Sequence, residues 1–127
     1  LNIADKVKNC GETQKVQKVY ENAHIFVFQS AFEGFPNALA EAMAAGLPVV
    51  AWKKCPSSAA LIQNGVNGFL VENVNEAAKR MALLMHDQAL RLSIGQSARD
   101  AMKLYSPEKI WDLWEEIIHK SVKRSMG

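Results

Sequence analysis

The sequence predicts an α/β protein with a Rossmann-like parallel sheet and flanking helices. Short apolar runs such as 25–29 and 69–71 alternate with segments whose apolar residues recur every three or four positions. The change from one pattern to the next often falls at Gly, Pro, Ser or Asn. Because strands that alternate with helices form parallel sheets through right-handed crossovers, this order predicts a β-α-β-α-β-α-β core followed by helices.

The first half of the chain supplies the strands. In chain order we predict a strand at 7–10, a helix at about 14–22, a strand at 25–29, a helix at 37–45, a strand at 47–52, a short helix ending at 62, a tight turn at 64–68 and a strand at 69–71. The continuous apolar run 25–29 is typical of a strand buried on both faces. Gly46 suits the C-cap of its helix, and Ser57 or Ser58 is expected to cap the short one.

The last part of the chain, about 75–122, is predicted to be helical. Residues 73–75 offer N-caps for a helix that runs to about 86, a second helix covers about 88–104, and Ser106 caps a third at 107–122. One face of the third helix carries large apolar side chains: Ile110, Trp111, Trp114, Ile117 and Ile118. We expect this face to pack in a core or an interface rather than to stack on a ligand.

Composition narrows the classes of function. The 127 residues are enough for one domain, 1–127, and 49% hydrophobic and 22% charged residues are ordinary for a soluble protein. A net charge of +2 gives no reason to expect nucleic acid as a partner. No apolar run reaches the length of a membrane span. Cys10 and Cys55 form no disulfide or zinc pattern, so we expect reduced structural thiols, as in the cytoplasm.

Several charged groups have two interpretations. The three histidines lack the spacing of metal ligands and are read as ordinary surface or half-buried residues. Lys53 and Lys54 follow a strand and are favoured as solvated lysines over phosphate contacts. The basic end 119–124 is favoured as a solvated helix end over weak peripheral attraction to an anionic membrane. The chain lacks an initiator Met and a signal-peptide pattern at its start, so we expect a piece of something longer.

The most informative segment is 33–41, which follows the strand at 25–29 and reads as a Gly/Pro turn and the start of a helix. Helix N-termini that follow strands bind phosphates, because free amides and the helix dipole favour an anion. The amides of Asn37, Ala38 and Leu39 are expected to face a diphosphate, and Gly34 allows close approach. Glu41 is placed to hold a ribose diol and Glu33 the hydroxyls of a sugar. This predicts a nucleotide-sugar site.

The strand-turn-helix context is what favours this site, since two glutamates eight apart are usually mere surface charges. The site should lie with loops 53–58 and 72–75 at the carboxyl edge of the sheet. No P-loop, nucleophile elbow or dinucleotide fingerprint is present, which argues against the corresponding NTPases, hydrolases and dehydrogenases.

Residues 30–51 resemble the signature of retaining GT-B glycosyltransferases of the group 1 type, in which Glu33 and Glu41 form the E-x7-E motif. The resemblance covers about 5–72 strongly and the helical tail loosely. It implies the C-terminal donor-binding domain of a GT-B fold. It also implies a UDP- or GDP-linked sugar as substrate, retention of configuration, and no metal or other cofactor.

The same resemblance assigns roles to residues. It places Glu33 as the catalytic-site residue on the donor sugar, Glu41 on the nucleotide ribose, and the amides around Asn37, Ala38 and Leu39 at the pyrophosphate. Gly34 and Phe35 are further residues of the expected donor-binding site. The leaving phosphate helps to take the acceptor proton, so Glu33 need not be a nucleophile. A glycan or lipid-linked acceptor would bind to a separate N-terminal domain, and polysaccharide assembly at the inner face of a bacterial membrane is expected.

Two departures from the family pattern limit this reading. Ala60 occupies the place where relatives often carry a glutamate. The chain is also shorter than a whole donor domain, so we expect an exposed sheet edge, partial donor binding and no transfer by this piece alone. A homodimer that covers the edge is compatible with this. A non-catalytic nucleotide-binding module and a GT-B nucleotide-sugar epimerase remain as alternatives.

Overall fold

The computed structural model of the protein describes residues 2–126 and shows a three-stranded parallel sheet. The strands β1 (Phe26–Phe28), β2 (Val49–Trp52) and β3 (Phe69–Val71) lie in the order β1-β2-β3. Phe26 aligns with Val49, and Val50 aligns with Phe69. The α/β class with a parallel sheet and flanking helices is therefore confirmed.

Six α-helices accompany the sheet in the described chain. They are α1 (Val16–Asn22), α2 (Asn37–Ala44), α3 (Pro56–Leu61), α4 (Val74–His86), α5 (Gln88–Met102) and α6 (Pro107–Met126). Short 3-10 helices cover Ala4–Lys6 and Lys103–Tyr105. The Asn73 side chain caps α4 by accepting from the Glu76 amide at 2.9 Å, as the sequence predicts. Ser106 likewise accepts from the Lys109 amide at the start of α6.

The predicted first strand at 7–10 is wrong. These residues follow the first 3-10 helix and lie exposed, with Val7 64% exposed and Cys10 outside the sheet. A strand forms only where neighbouring backbone supplies hydrogen-bond partners, and β1 pairs with β2 alone among the strands of residues 2–126. β1 is accordingly half-buried, so the prediction of a strand buried on both faces is also wrong.

The core lies on both faces of β2. Val49 and Ala51 point into one cluster with Leu39 and Met43 of α2, while Val50 points into a second cluster with Leu84. Alternate residues of a strand face opposite sides, so the central strand serves both clusters. Its first three residues are at most 1% exposed. β2 and the helices packed against it therefore hold α2 in place.

The end of α2 is fixed by α5. Gly46 has φ of +83° directly after the helix, which confirms it as the C-terminal glycine. Arg99 donates to the Ala45 carbonyl at 3.1 Å. A Cβ atom on Gly95 would lie 2.2 Å from the Gly46 carbonyl oxygen, so only glycine permits this close approach of the two helices.

The predicted cap of the short helix is wrong. α3 begins at Pro56 with Cys55 at the N-cap, so Ser57 and Ser58 lie inside the helix. Proline favours the first helical position because its missing N–H would have no helical partner there. Ser57 is thereby free to bond outside its own helix. The tight turn that follows is confirmed, with Gly65 at φ +80° and its amide bonded to the Gly68 carbonyl.

The apolar face of α6 does not pack in the core. Its large side chains are all exposed: Ile110 40%, Trp111 70%, Leu113 55%, Trp114 56%, Ile117 53% and Ile118 55%. No residue of α6 is buried, and the main contact of this helix within residues 2–126 is with the neighbouring 3-10 helix Lys103–Tyr105. No helix among these residues combines the length and the apolarity of a membrane span.

Candidate functional site

The carboxyl ends of the three strands meet at one edge of the sheet, and the loops that follow them contact one another. Ser57 donates to the Glu33 carbonyl at 2.9 Å, which joins the start of α3, the helix after β2, to the loop after β1. Lys53 Nζ lies 3.2 Å from Glu72 Oε1, which joins the loop after β2 to the loop after β3. The candidate site is built on this edge.

Glu33 lies on the loop between β1 and α2, with its side chain exposed. The Ser30 hydroxyl lies 3.0 Å from Glu33 Oε1 and 3.1 Å from the Phe32 carbonyl, so it orients the carboxylate against its own loop. Gly34 is open: a Cβ atom there would meet nothing within 4 Å. Phe35 is half exposed, and its ring lies 6.1 Å from that of Tyr105.

The N-terminus of α2 is uncapped by any side chain. Pro36 is buried and occupies the N-cap position, so the first helical residue is Asn37. The Asn37 amide donates to the Phe35 carbonyl and the Ala40 amide to Pro36. Within residues 2–126, the amides of Ala38 and Leu39 donate to no carbonyl outside the helix. Ala38 is exposed whereas Leu39 is buried, so the Ala38 amide is the more accessible of the two to an anion.

Glu41 lies one turn into α2 and is hydrogen-bonded to Tyr20, which the sequence predicts only as an apolar position of α1. Tyr20 Oη lies 3.3 Å from Glu41 Oε2 and 3.4 Å from the Ala38 carbonyl oxygen. Tyr20 and Glu41 both line a cavity of about 680 Å³ beside α1 and α2. Tyr20 and Glu41 are 21 positions apart in the sequence, and only the tertiary structure shows that they are in contact. No local sequence pattern indicates this contact.

Burial raises the pKa of Tyr20, and the charge of Glu41 and its hydrogen bond raise it further. The phenol therefore stays protonated at neutral pH and acts as a donor to the carboxylate.

The two lysines at the edge already have neighbours. Lys53 pairs with Glu72, and Lys54 Nζ lies 5.4 Å from the centre of the Trp52 ring. Lys53 is about two-thirds exposed, as expected for a solvated residue. Neither contact brings a lysine to α2, so the described residues offer amides rather than lysines at the start of that helix.

Both cysteines are free thiols, and they differ in setting. Cys10 is exposed, whereas Cys55 is fully buried with its Sγ 3.4 Å from the Ser57 hydroxyl. Burial acts to raise the pKa of Cys55, but the hydrogen bonds with Ser57 and Ser58 outweigh it and leave the pKa below its ordinary value. Cys55 helps to seat α3, whose Ser57 in turn holds Glu33.

Comparison with known proteins decides the family. The family described as Glycosyl transferases group 1 matches residues 1–101. The chain belongs to this family. An uncharacterized glycosyltransferase of Haemophilus influenzae is 36% identical over 120 residues, which is 93% of this chain and 34% of the relative.

Two further comparisons agree. The capsular polysaccharide biosynthesis glycosyltransferase CapM of Staphylococcus aureus is 32% identical over 85% of the chain and 29% of its own length. A solved structure of S. aureus TarM, in complex with Fondaparinux, alpha-GlcNAc-glycerol and UDP, superposes with a TM-score of 0.76 at 32% identity. The superposition covers 91% of this chain and 24% of the TarM chain. These neighbours are GT-B glycosyltransferases, and the chain spans about a third or less of the relatives it matches.

Proposed function

We propose that this glycosyltransferase chain carries the donor-binding site of a retaining, metal-independent enzyme. That enzyme moves a sugar from a nucleotide-diphospho-sugar to a glycan or lipid-linked acceptor. The observation that carries the proposal is the uncapped N-terminus of α2, flanked by Glu33 and Glu41 at the carboxyl edge of the sheet. Membership of the glycosyltransferase family supports it.

The free amides at the start of α2 would receive the diphosphate. As the bond to the sugar breaks, negative charge grows on the leaving diphosphate, and fixed amide dipoles stabilise it without reorganisation. Glu33, oriented by Ser30, is proposed to contact the donor sugar. In the proposed front-side transfer, the acceptor oxygen bonds to the sugar carbon on the face that the leaving phosphate vacates, and that phosphate takes the acceptor proton.

Glu41 is proposed to accept hydrogen bonds from the ribose diol. A carboxylate has four acceptor positions, so it can hold both hydroxyls while its Oε2 remains near Tyr20. The cavity that Glu41 lines beside α1 leaves space next to its carboxylate. The names of relatives such as CapM support polysaccharide assembly, which we propose takes place in the cytoplasm at the inner face of a membrane.

The test is calorimetric titration of the chain with UDP, GDP and their common sugar conjugates. UDP comes first because the TarM structure contains it. In Glu41→Ala we expect nucleotide binding to weaken by about 1–3 kcal/mol, the range for leaving buried polar partners unpaired. Glu115→Ala changes another exposed glutamate, on α6; it is the matched control and should bind as the parent does. Unchanged affinity in folded Glu41→Ala would exclude the ribose assignment.

A further inference from the structure

Tyr20 stands between two acceptors of α2 with a single proton to share. Its Oη lies 3.3 Å from Glu41 Oε2 and 3.4 Å from the Ala38 carbonyl oxygen. Both distances are longer than those of a strong O–H···O bond. The hydroxyl therefore supplies direction to Glu41 more than it supplies binding energy.

The Tyr20 ring is fixed by packing, which makes its hydroxyl a stable reference point. The ring meets Phe26 edge-on at 5.9 Å between centroids, and Phe26 stacks on Phe28 at 6.3 Å. Tyr20 also packs against the cluster that contains Leu39, while the other residues of α1 are exposed. The position of the hydroxyl is thus set by β1 and the core rather than by the exposed helix that carries it.

Glu41 needs such a reference. Its side chain is exposed on α2 and has three rotatable bonds, so ordering it on a ligand costs conformational entropy. A carboxylate whose Oε2 is already held by a donor loses less freedom when a diol binds.

We propose that Tyr20 is a positioning residue that holds the Glu41 carboxylate for a ribose diol, and that it thereby favours ribonucleoside over 2′-deoxyribonucleoside diphosphates. This inference rests on the proposed function, because it deepens the role of Glu41. Tyr20 itself need not contact the ligand. The ligand class follows from the chemistry, because a pre-oriented carboxylate can accept one hydrogen bond from each of two adjacent hydroxyls.

The deciding experiment compares UDP with 2′-deoxy-UDP by calorimetry in the parent chain and in Tyr20→Phe, which removes the hydroxyl and keeps the ring. We expect Tyr20→Phe to weaken UDP binding about 3- to 10-fold, the net size of one ordinary hydrogen bond, and to leave 2′-deoxy-UDP binding unchanged. Equal weakening of both would show a merely structural role and overturn the proposal. Ser121→Ala removes an exposed hydroxyl on α6, away from the residues of the candidate site, and should change neither affinity.

A second readout needs no nucleotide. Three-bond couplings measured by NMR report the rotamer populations of the Glu41 side chain. We expect one rotamer to dominate in the parent and several to be averaged in Tyr20→Phe. Averaging already in the parent would overturn the positioning role.

The two measurements separate the two proposals. If Glu41→Ala loses nucleotide binding while Tyr20→Phe keeps the ribose selectivity of the parent, the donor site stands and Tyr20 is excluded as its positioning residue. Absence of nucleotide binding by the folded parent counts against the proposed function, while the rotamer measurement still decides whether Tyr20 holds Glu41.

Discussion

The helices α5 and α6 are both amphipathic, yet the molecule uses them in opposite ways. α5 has 15 residues and buries Ile94, Gly95, Ala98 and Met102 against the sheet and α2. α6 has 20 residues and buries none, although its apolar face carries two tryptophans. Periodicity shows that a helix has an apolar face, whereas the tertiary structure decides whether anything in the same chain covers that face. α5 should therefore contribute to stability and α6 should not.

The largest expected effect is at the contact of α5 with α2. Gly95→Ala places a Cβ atom 2.2 Å from the Gly46 carbonyl oxygen, and a backbone atom cannot move aside as a side chain can. We expect the free energy of unfolding to fall by more than about 3 kcal/mol, measured by urea unfolding followed by circular dichroism. Ser121→Ala on α6 is the control and should stay within about 0.5 kcal/mol of the parent. An unaltered midpoint in Gly95→Ala would contradict the close packing of these helices.

A matched pair of truncations sharpens the comparison. Ile94→Val removes a methyl group from a side chain that is 2% exposed, and we expect it to lower the free energy of unfolding by about 1 kcal/mol. Ile117→Val makes the same change on α6 at 53% exposure and should cost less than about 0.5 kcal/mol. The same unfolding assay reads both variants. Equal losses would mean that the apolar face of α6 is covered in solution.

The smallest expected effect is electrostatic and should be alike in the two helices. A hydrogen bond from Lys103, aided by Gln96, lowers the pKa of Asp100 in α5, and a hydrogen bond from Lys120 lowers the pKa of Glu116 in α6. A carboxyl group whose pKa is lowered by folding stabilises the folded state above its unfolded-state pKa. That contribution is lost as the pH falls through the folded-state pKa.

Unfolding measured between about pH 6 and pH 2 tests this sign. Asp100→Asn and Glu116→Gln should each reduce the fall in the free energy of unfolding at acid pH. The reduction should be slight, because both carboxylates are exposed and their pairs are screened by water. A large change in only one variant would show that its carboxylate is shielded from solvent in a way its partner helix is not.

The contrast between these helices also shows where sequence reasoning reached its limit. The strands β2 and β3, the helix α2 and the Asn73 cap depend on local patterns and lie close to where the sequence predicts them. The strand at 7–10 failed because strand formation depends on a neighbour, which no local pattern reveals. The face of α6 is expected in a core or an interface; the core is wrong for the same reason, and the interface stays a prediction.

The candidate site divides in the same way. Glu33 on its loop and Glu41 on α2 occupy the expected elements, and their roles remain predictions. The sequence predicts Tyr20 only as a helix residue, and its contact with Glu41 is not predictable because it depends on how α1 lies across α2. The sequence predicts Ser57 or Ser58 as the cap of α3, yet proline occupies the first helical position, and Ser57 donates to the Glu33 carbonyl instead.

The position of β2 between two neighbours has a consequence for the order in which the molecule opens. Its amides are held in a ladder on both sides and enclosed by core on both faces, so they exchange with deuterium only when the whole sheet opens. β1 and α1 lie at the open edge and can separate from the rest with less loss of buried surface. Tyr20 therefore belongs to the first part to open, and a ligand held at Glu41 should slow amide exchange there more than in β2.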